Sequence, residues 1–250
     1  MLLENKTAMV TGGASGIGRA VAMAHAREGA RVIVSDVDEA GGAETVALIR
    51  QATKGATASF VMADASSPDD HERLVREAVQ QYGGLHVACN NAGIAGELTP
   101  AAELSVEAWR KVIEVNLSGV FYALRAQIAQ MRTVGGGAIV NMASVLGQVG
   151  TPALSAYVAA KHGVVGLTQA AALENAAGGI RINAVGPGYI DTPLLDALPD
   201  DERQGLVALH PIGRLGTAEE VAELVVWLSS DRASFVTGSY HPVDGGYLAQ

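Results

Sequence analysis

Tyr157 and Lys161 stand four residues apart in the run Ala156-Tyr157-Val158-Ala159-Ala160-Lys161, at the border of a stretch without charge. From Thr133 to Ala160 there is no Asp, Glu, Lys, Arg or His. Residues four apart share one face of a helix, so a phenol and an ammonium can enter the same cleft. A free phenol titrates near 10. At roughly 4 Å and an effective dielectric near 20, the ammonium attracts a phenolate by about 4 kcal/mol, or about three pK units before desolvation subtracts. That pull brings Tyr157 towards neutral pH, where a general acid/base works best. Taken alone, Tyr157 could equally be a core aromatic.

A second constellation opens the chain. The apolar run ending at Thr11 leads into Thr11-Gly12-Gly13-Ala14-Ser15-Gly16-Ile17-Gly18-Arg19-Ala20, and a helical pattern follows. Glycines between a strand and a helix admit positive φ and bring backbone N–H groups close to a pyrophosphate at the helix N-terminus. The spacing is Gly-x-x-x-Gly-x-Gly, and a tight β–α turn would use similar residues. The next strand ends at Asp36, eighteen residues beyond Gly18. An acidic residue there suits the adenosine ribose hydroxyls of NAD and repels the extra phosphate of NADP. Ser15 in the loop, and Val37 and Asp38 after the aspartate, supply no compensating positive charge. The other use of Asp36 would be a helix N-cap.

Both constellations need a scaffold. Apolar, β-branched runs end at Thr11, Asp36, Asp64, Asn91 and Ser144; others cover 180–188 and the segment Gly238-Ser239-Tyr240-His241-Pro242-Val243. The first of them lack apolar/polar alternation, as strands buried on both faces do. Helical patterns lie between, for example Pro68–Tyr82, with Asp69, Asp70 and Glu72 in its first turn. Alternation of this kind predicts an α/β single-domain Rossmann fold: a seven-stranded parallel doubly wound sheet with helices on both faces. With 250 residues, no linker and no repeat, one domain spanning 1–250 is expected.

Composition excludes several classes. A net charge of −9 argues against nucleic acid as a partner, because phosphate contacts need clustered Lys and Arg. The uncharged 133–160 stretch is a poor membrane span, being broken by three consecutive glycines, a proline and several polar residues. Cys89 is the single cysteine, inside an apolar run that suggests burial. It fits a reducing compartment, and the first residues carry no basic segment followed by an apolar core, so a cytoplasmic protein is expected.

In joint order and spacing these motifs resemble the short-chain dehydrogenase/reductase family along essentially the whole chain. Gly12, Ser15, Gly16, Ile17 and Gly18 are similar to its cofactor loop, and Asn90-Asn91-Ala92-Gly93 to the motif after its fourth strand. Asn116, Ser144, Tyr157 and Lys161 match its catalytic tetrad. Pro187, Gly188, Ile190 and Thr192 match the segment that meets the nicotinamide end, and Asp64 and Ala65 the pair flanking the adenine. The resemblance implies that Ser144 hydrogen-bonds the substrate oxygen. It implies that Lys161 also holds the nicotinamide ribose and that Asn116 holds a water linking Lys161 to solvent. Asn90 and Asn91 divide between cofactor backbone contacts and bracing the central strands. Two departures are mild: Ala143 stands where another serine is frequent, and Gly186 precedes Pro187. The resemblance further implies a homotetramer. In some relatives a terminal Gln binds Mg²⁺, but Gln250 with one carboxylate is weak support, and no metal is expected.

In this family, the loop after the serine and the segment after the sixth strand choose the substrate. Here they offer Val145, Leu146, Gln148, Val149, Tyr189, Leu194, Leu195 and Leu198. Of these, Leu146, Gln148, Val149, Tyr189, Leu194 and Leu195 are the candidate contacts, beside Ser144 and Tyr157. The set is mostly apolar and lacks Lys and Arg, so an uncharged secondary alcohol or ketone, cyclic ones included, is the expected substrate. Residues 189–216 mix Gly, Pro and acidic side chains as a movable lid would, though a plain surface excursion would look alike. Two rival readings share the motifs: a 3-oxoacyl thioester reductase, and a non-catalytic NAD-sensing protein.

Overall fold

The computed structural model describes residues 1–195 and 199–250, the side chain of Leu194 excepted. In chain order the elements are β1 (Thr7–Thr11), α1 (Gly16–Arg27), β2 (Arg31–Asp36), α2 (Glu39–Ala52), β3 (Ala58–Met62), α3 (Pro68–Tyr82) and β4 (Val87–Asn90). There follow α4 (Val106–Ile113), a π turn (Glu114–Ser118), α5 (Gly119–Thr133), β5 (Gly137–Met142), α6 (Ser155–Asn175) and β6 (Ile180–Pro187). The rest comprises β7 (Ile190–Asp191), α7 (Asp200–Ala208), β8 (Gly216–Thr217), α8 (Ala218–Ser229) and β9 (Tyr240–Val243). Seven strands form one sheet in the order β3-β2-β1-β4-β5-β6-β9, every pair parallel. The fold class expected from the alternating runs is the one observed. β7 and β8 pair separately.

The strands are buried on both faces, which explains their lack of alternation. In β1, Ala8 and Val10 join a core with α1 and α8, while Met9 joins the opposite core with α3, α5 and α6. β4 divides in the same way, with Val87 and Cys89 on the first face and Ala88 on the second. The Cys89 thiol is fully enclosed, and burial pushes its pKa up to about 12, the behaviour of an inert packing residue.

Local signals set the boundaries. α3 begins at Pro68 with Ser67 accepting from the Asp70 N–H, and Gly83 ends it at φ 85°. α8 begins with a capping box between Thr217 and Glu220. The uncharged 133–160 stretch resolves into β5, a buried loop and the start of α6. Among the described residues no helix is long and apolar enough to cross a membrane.

Sheet order reverses between β1 and β4: the chain winds outward through β2 and β3 on one side and through β5, β6 and β9 on the other. Crossovers diverge there and leave a crevice at the carboxyl ends of the strands, where α/β sheets bind ligands.

Candidate active site

The carboxyl ends of β1, β2, β4, β5 and β6 carry nearly all of the candidate residues. After β1 the chain turns at Gly12, whose φ is 64° and whose missing Cβ would lie 2.8 Å from the Ala92 Cα. Gly16, at φ 51°, faces Thr192 and Pro193 across a narrow gap. Gly18 has a packing reason instead, since a Cβ there would run into the Gly12 carbonyl. The Asn91 side-chain amide donates to the Thr11 and Gly12 carbonyls, each at 3.1 Å, and thereby ties the loop to the end of β4. Thr11 Oγ1 accepts from the Asn91 and Ala92 N–H groups.

This loop fits a dinucleotide. Ser15, the N-cap of α1, does not cap the helix with its hydroxyl, and the first turn holds no acidic residue. The N–H groups there remain available to an anion. Asp36 accepts from the Ala14 N–H at 3.0 Å and the Asp38 N–H at 3.1 Å, which fixes its carboxylate against the loop. The helix N-cap is Asp38, not Asp36. Two residues with no sequence signal brace the loop from beneath. Arg19 donates to the Ala14 carbonyl and pairs with Glu44 at 2.6 Å, and the Thr45 hydroxyl donates to the Gly13 carbonyl at 2.9 Å.

On the other side of the crevice, Ser144 after β5, Tyr157 and Lys161 on α6, and Asn116 in the π turn come together from three separate elements. The Ser144 hydroxyl accepts from the Leu146 N–H at 3.2 Å and stands near enough to the Tyr157 phenol to favour its ionised form. Lys161 Nζ lies 5.5 Å from the centre of the Tyr157 ring. Gly93 separates Lys161 from Asn116: a Cβ there would stand 3.7 Å from Nζ and 3.1 Å from Asn116 Oδ1.

The electrostatics differ from the expectation. Burial pushes the Tyr157 phenol above its ordinary value; the Ser144 hydroxyl pulls it back in part, and Tyr189 adds to the rise. Lys161 does not lower it here. Its Nζ donates to the Met142 carbonyl at 2.7 Å, and burial pushes its pKa down to about 8. Desolvation, left as an unquantified subtraction in the Coulomb argument, wins in the free protein.

Several of the expected contact residues also carry structural bonds. Asn90 is committed to a buried amide ladder: it donates to Gln127 and Asn141 and accepts from Gln127, while Asn141 donates to Thr168. It braces the central strands and has no side-chain atom free for a cofactor. Asn116 is paired at both ends with the Ile94 backbone, at 2.8 Å each, so its side chain is already occupied. The Ile190 side chain packs into the α1/α8 core and leaves only its main chain for a ligand. Asp64 is exposed and accepts from Ser66, and Ala65 accepts from His71 Nε2 at 2.9 Å. Gly188 donates to the Val243 carbonyl, with His210 filling the space beside it.

Of the candidate substrate contacts, Leu146 is buried, Gln148 and Val149 are exposed, and Leu195 is half-buried. Leu198 and the Leu194 side chain lie outside the described residues. Tyr189 packs edge-on against His210 and Tyr247. A cavity of about 90 Å³ behind it, lined by Tyr189, His210, Ile212, Arg214 and Val243, excludes Tyr157. The two arginines of the 189–216 segment are both paired, Arg203 with Asp191 and Arg214 with Glu220. The side-chain amide of Gln250 donates to the Leu209 carbonyl at 3.0 Å.

A family model described as enoyl-(acyl carrier protein) reductase matches residues 12–248. A cyclohexanol dehydrogenase of Acinetobacter sp. (strain SE19) is 50% identical over 247 residues, covering 99% of this chain and 96% of that protein. The chain belongs to the short-chain dehydrogenase/reductase family. A second relative, the cis-4-hydroxycyclohexanecarboxylate dehydrogenase of Sinomonas cyclohexanicum, is 49% identical over 98% of this chain and 97% of its own length. The crystal structure of levodione reductase superposes with a TM-score of 0.96 at 38% identity, covering 99% of each chain. This short-chain dehydrogenase/reductase is therefore an oxidoreductase acting with a nicotinamide cofactor, in agreement with the resemblance read from its motifs.

Proposed function

We propose that the chain is an NAD-dependent dehydrogenase of uncharged cyclic secondary alcohols, with Tyr157 as its general acid/base. The observation that carries this reading is the convergence of Ser144, Tyr157 and Lys161 beside the glycine loop. The cyclic ring is supported by the relatives at about half identity, both named for ring alcohols, and by the apolar candidate wall. NAD is supported by the Asp36 carboxylate held against the loop, while Arg19, which braces that loop, is bonded to Glu44 and the Ala14 carbonyl.

Gly12 and Gly16 with the first N–H groups of α1 would hold the pyrophosphate, Asp36 the adenosine ribose, and Lys161 the nicotinamide ribose. Ala65, Ala92, Gly93 and Thr192 would line the path between. When bound, NAD supplies the acceptor for the hydride on the carbinol carbon. The chain's own residues handle the proton. Ser144 donates a hydrogen bond to the alcohol oxygen and fixes it beside Tyr157. Tyr157 as phenolate takes the hydroxyl proton, with Lys161 beside it on the same helix face. Because burial keeps the phenol protonated in the free protein, oxidation is favoured at alkaline pH and ketone reduction nearer neutrality.

A homotetramer in the cytoplasm, with no nucleic-acid or membrane partner and no bound metal, completes the reading. A 3-oxoacyl thioester reductase would need cations to dock an acidic carrier, and both arginines of the 189–216 segment are already neutralised. Initial rates with NAD and NADP over linear, cyclic and polyol alcohols provide the test. Turnover of cyclohexanol with NAD is expected. A clear preference for NADP, or for an acetoacetyl thioester, would refute the reading.

A further inference from the structure

Tyr240 lies in β9, at the edge of the sheet, ninety-six residues from Ser144 in sequence. Its hydroxyl donates to the Ser144 main-chain carbonyl at 2.9 Å. The strand beneath is shaped for that reach. β9 pairs with β6 in the register Ala184 to Tyr240 and Gly186 to Pro242. A Cβ on Gly186 would overlap the Tyr240 hydroxyl and ring. The glycine before Pro187, a departure from the family pattern, is thus the space through which the phenol passes. Ser144 needs such a support. It is extended, at φ −172° and ψ 162°, and starts the short 3-10 turn Val145–Gly147. Its hydroxyl already accepts from the Leu146 N–H at 3.2 Å while it acts on the neighbouring Tyr157 phenol. A tilt of the Ser144 peptide would move the hydroxyl off Tyr157.

We propose that Tyr240 is a positioning residue for the reaction: through Gly186 it clamps the Ser144 carbonyl and so holds the Ser144 hydroxyl on Tyr157 and on the substrate oxygen. The role rests on the proposed acid/base function of Tyr157. Tyr240 acts on the site through the Ser144 main chain. Losing its hydroxyl costs one hydrogen bond and leaves the ring in place, so Tyr240→Phe retains the fold.

The experiment compares wild type, Tyr240→Phe and Gly186→Ala in cyclohexanol oxidation by NAD across pH. Tyr240→Phe is expected to lower kcat about five- to tenfold and to move the rise of kcat to higher pH, since Ser144 no longer supports the phenolate. KM for NAD and the binding of NADH stay within twofold. Gly186→Ala, which displaces the ring, should act in the same direction. The proposal is overturned if Tyr240→Phe keeps kcat within twofold with a superimposable pH profile, or if kcat and NADH binding fall together. If Gly186→Ala does not accumulate, Tyr240→Phe alone decides. An arm without turnover separates this proposal from the functional reading. The ultraviolet titration difference between each protein and its Tyr157→Phe counterpart reports the Tyr157 phenol directly. An upward shift in the Tyr240→Phe background is expected, and no shift overturns the proposal. Wild type that binds NADH and oxidises no alcohol would refute the functional reading, whatever the titration shows.

Discussion

His25 offers a quantitative test of burial in this fold. It lies on α1, facing α8, with no solvent exposure. Its Nδ1 has no partner, and its Nε2 stands 3.5 Å from a Ser229 hydroxyl that already donates to the Val225 carbonyl. Burial pushes its pKa from 6.5 down to about 4. In the unfolded chain the imidazole takes up a proton below about 6.5, whereas the folded protein resists until about 4. Stability is therefore full above about 6.5, falls as pH drops through that window, and levels off below about 4. The size of the loss is about 3 kcal/mol, or roughly two decades in the ratio of folded to unfolded protein. The perturbation is His25→Leu, which fills similar space and cannot be protonated. Chemical denaturation of both proteins at fixed concentration, at steps from pH 7 to pH 4, gives the comparison. Burial also depresses the pKa of His71, His86 and His241, but these are present in both proteins and cancel. At pH 7 the variant should be equal to wild type or slightly more stable, and its advantage should grow by about 3 kcal/mol at pH 4. Stability curves that run parallel over the whole range would refute the burial argument.

Other outcomes follow from the same geometry. Tyr157→Phe should abolish turnover and leave NADH fluorescence titration unchanged; near-wild-type activity would remove the phenol from the reaction. Asp36→Ala should narrow the preference for NAD over NADP by at least tenfold in kcat/KM, and an unchanged ratio would assign the preference elsewhere. Gln127→Leu strips two hydrogen bonds from the buried Asn90 and should cost about 1–3 kcal/mol, read by denaturation, without altering KM for the alcohol. Light scattering after size exclusion should give a tetramer mass, and a monomer would overturn the assembly.

The parts legible in sequence are those set by local spacing. The glycine loop, the helix at Pro68–Tyr82 and the Tyr157–Lys161 face depend on neighbours within one turn or one strand, and the structure places them as expected. What spacing leaves open involves partners distant in sequence. Bracing and cofactor contact are shared between Asn90 and Asn91 in the sequence reading, and only Gln127 and Asn141 show that the Asn90 side chain braces. The anchoring of the Asn116 amide on the Ile94 backbone is likewise invisible in sequence. The Coulomb argument for Tyr157 had the correct neighbour, but desolvation depends on everything packed around it, which spacing does not encode. His210 carries no local signal of its own. Its role as an acceptor for the Tyr189 N–H and a neighbour of Tyr247 needs the folded chain.

The order of the strands also bears on how the protein is made. β1 emerges first and becomes an inner strand; β2 and β3 can add to one side, and β4, β5, β6 and β9 to the other, in the sequence of their synthesis. Each new βα unit meets an edge already present, so a ribosome-bound chain can extend its sheet without rearranging it. The exposed edge changes with every unit, and after residue 187 it is β6 that lies open, rich in Ile, Ala and Val. An open apolar edge invites pairing with another chain. It stays open until 240–243 have left the ribosome. A pause in translation between those points would be the moment of greatest aggregation risk.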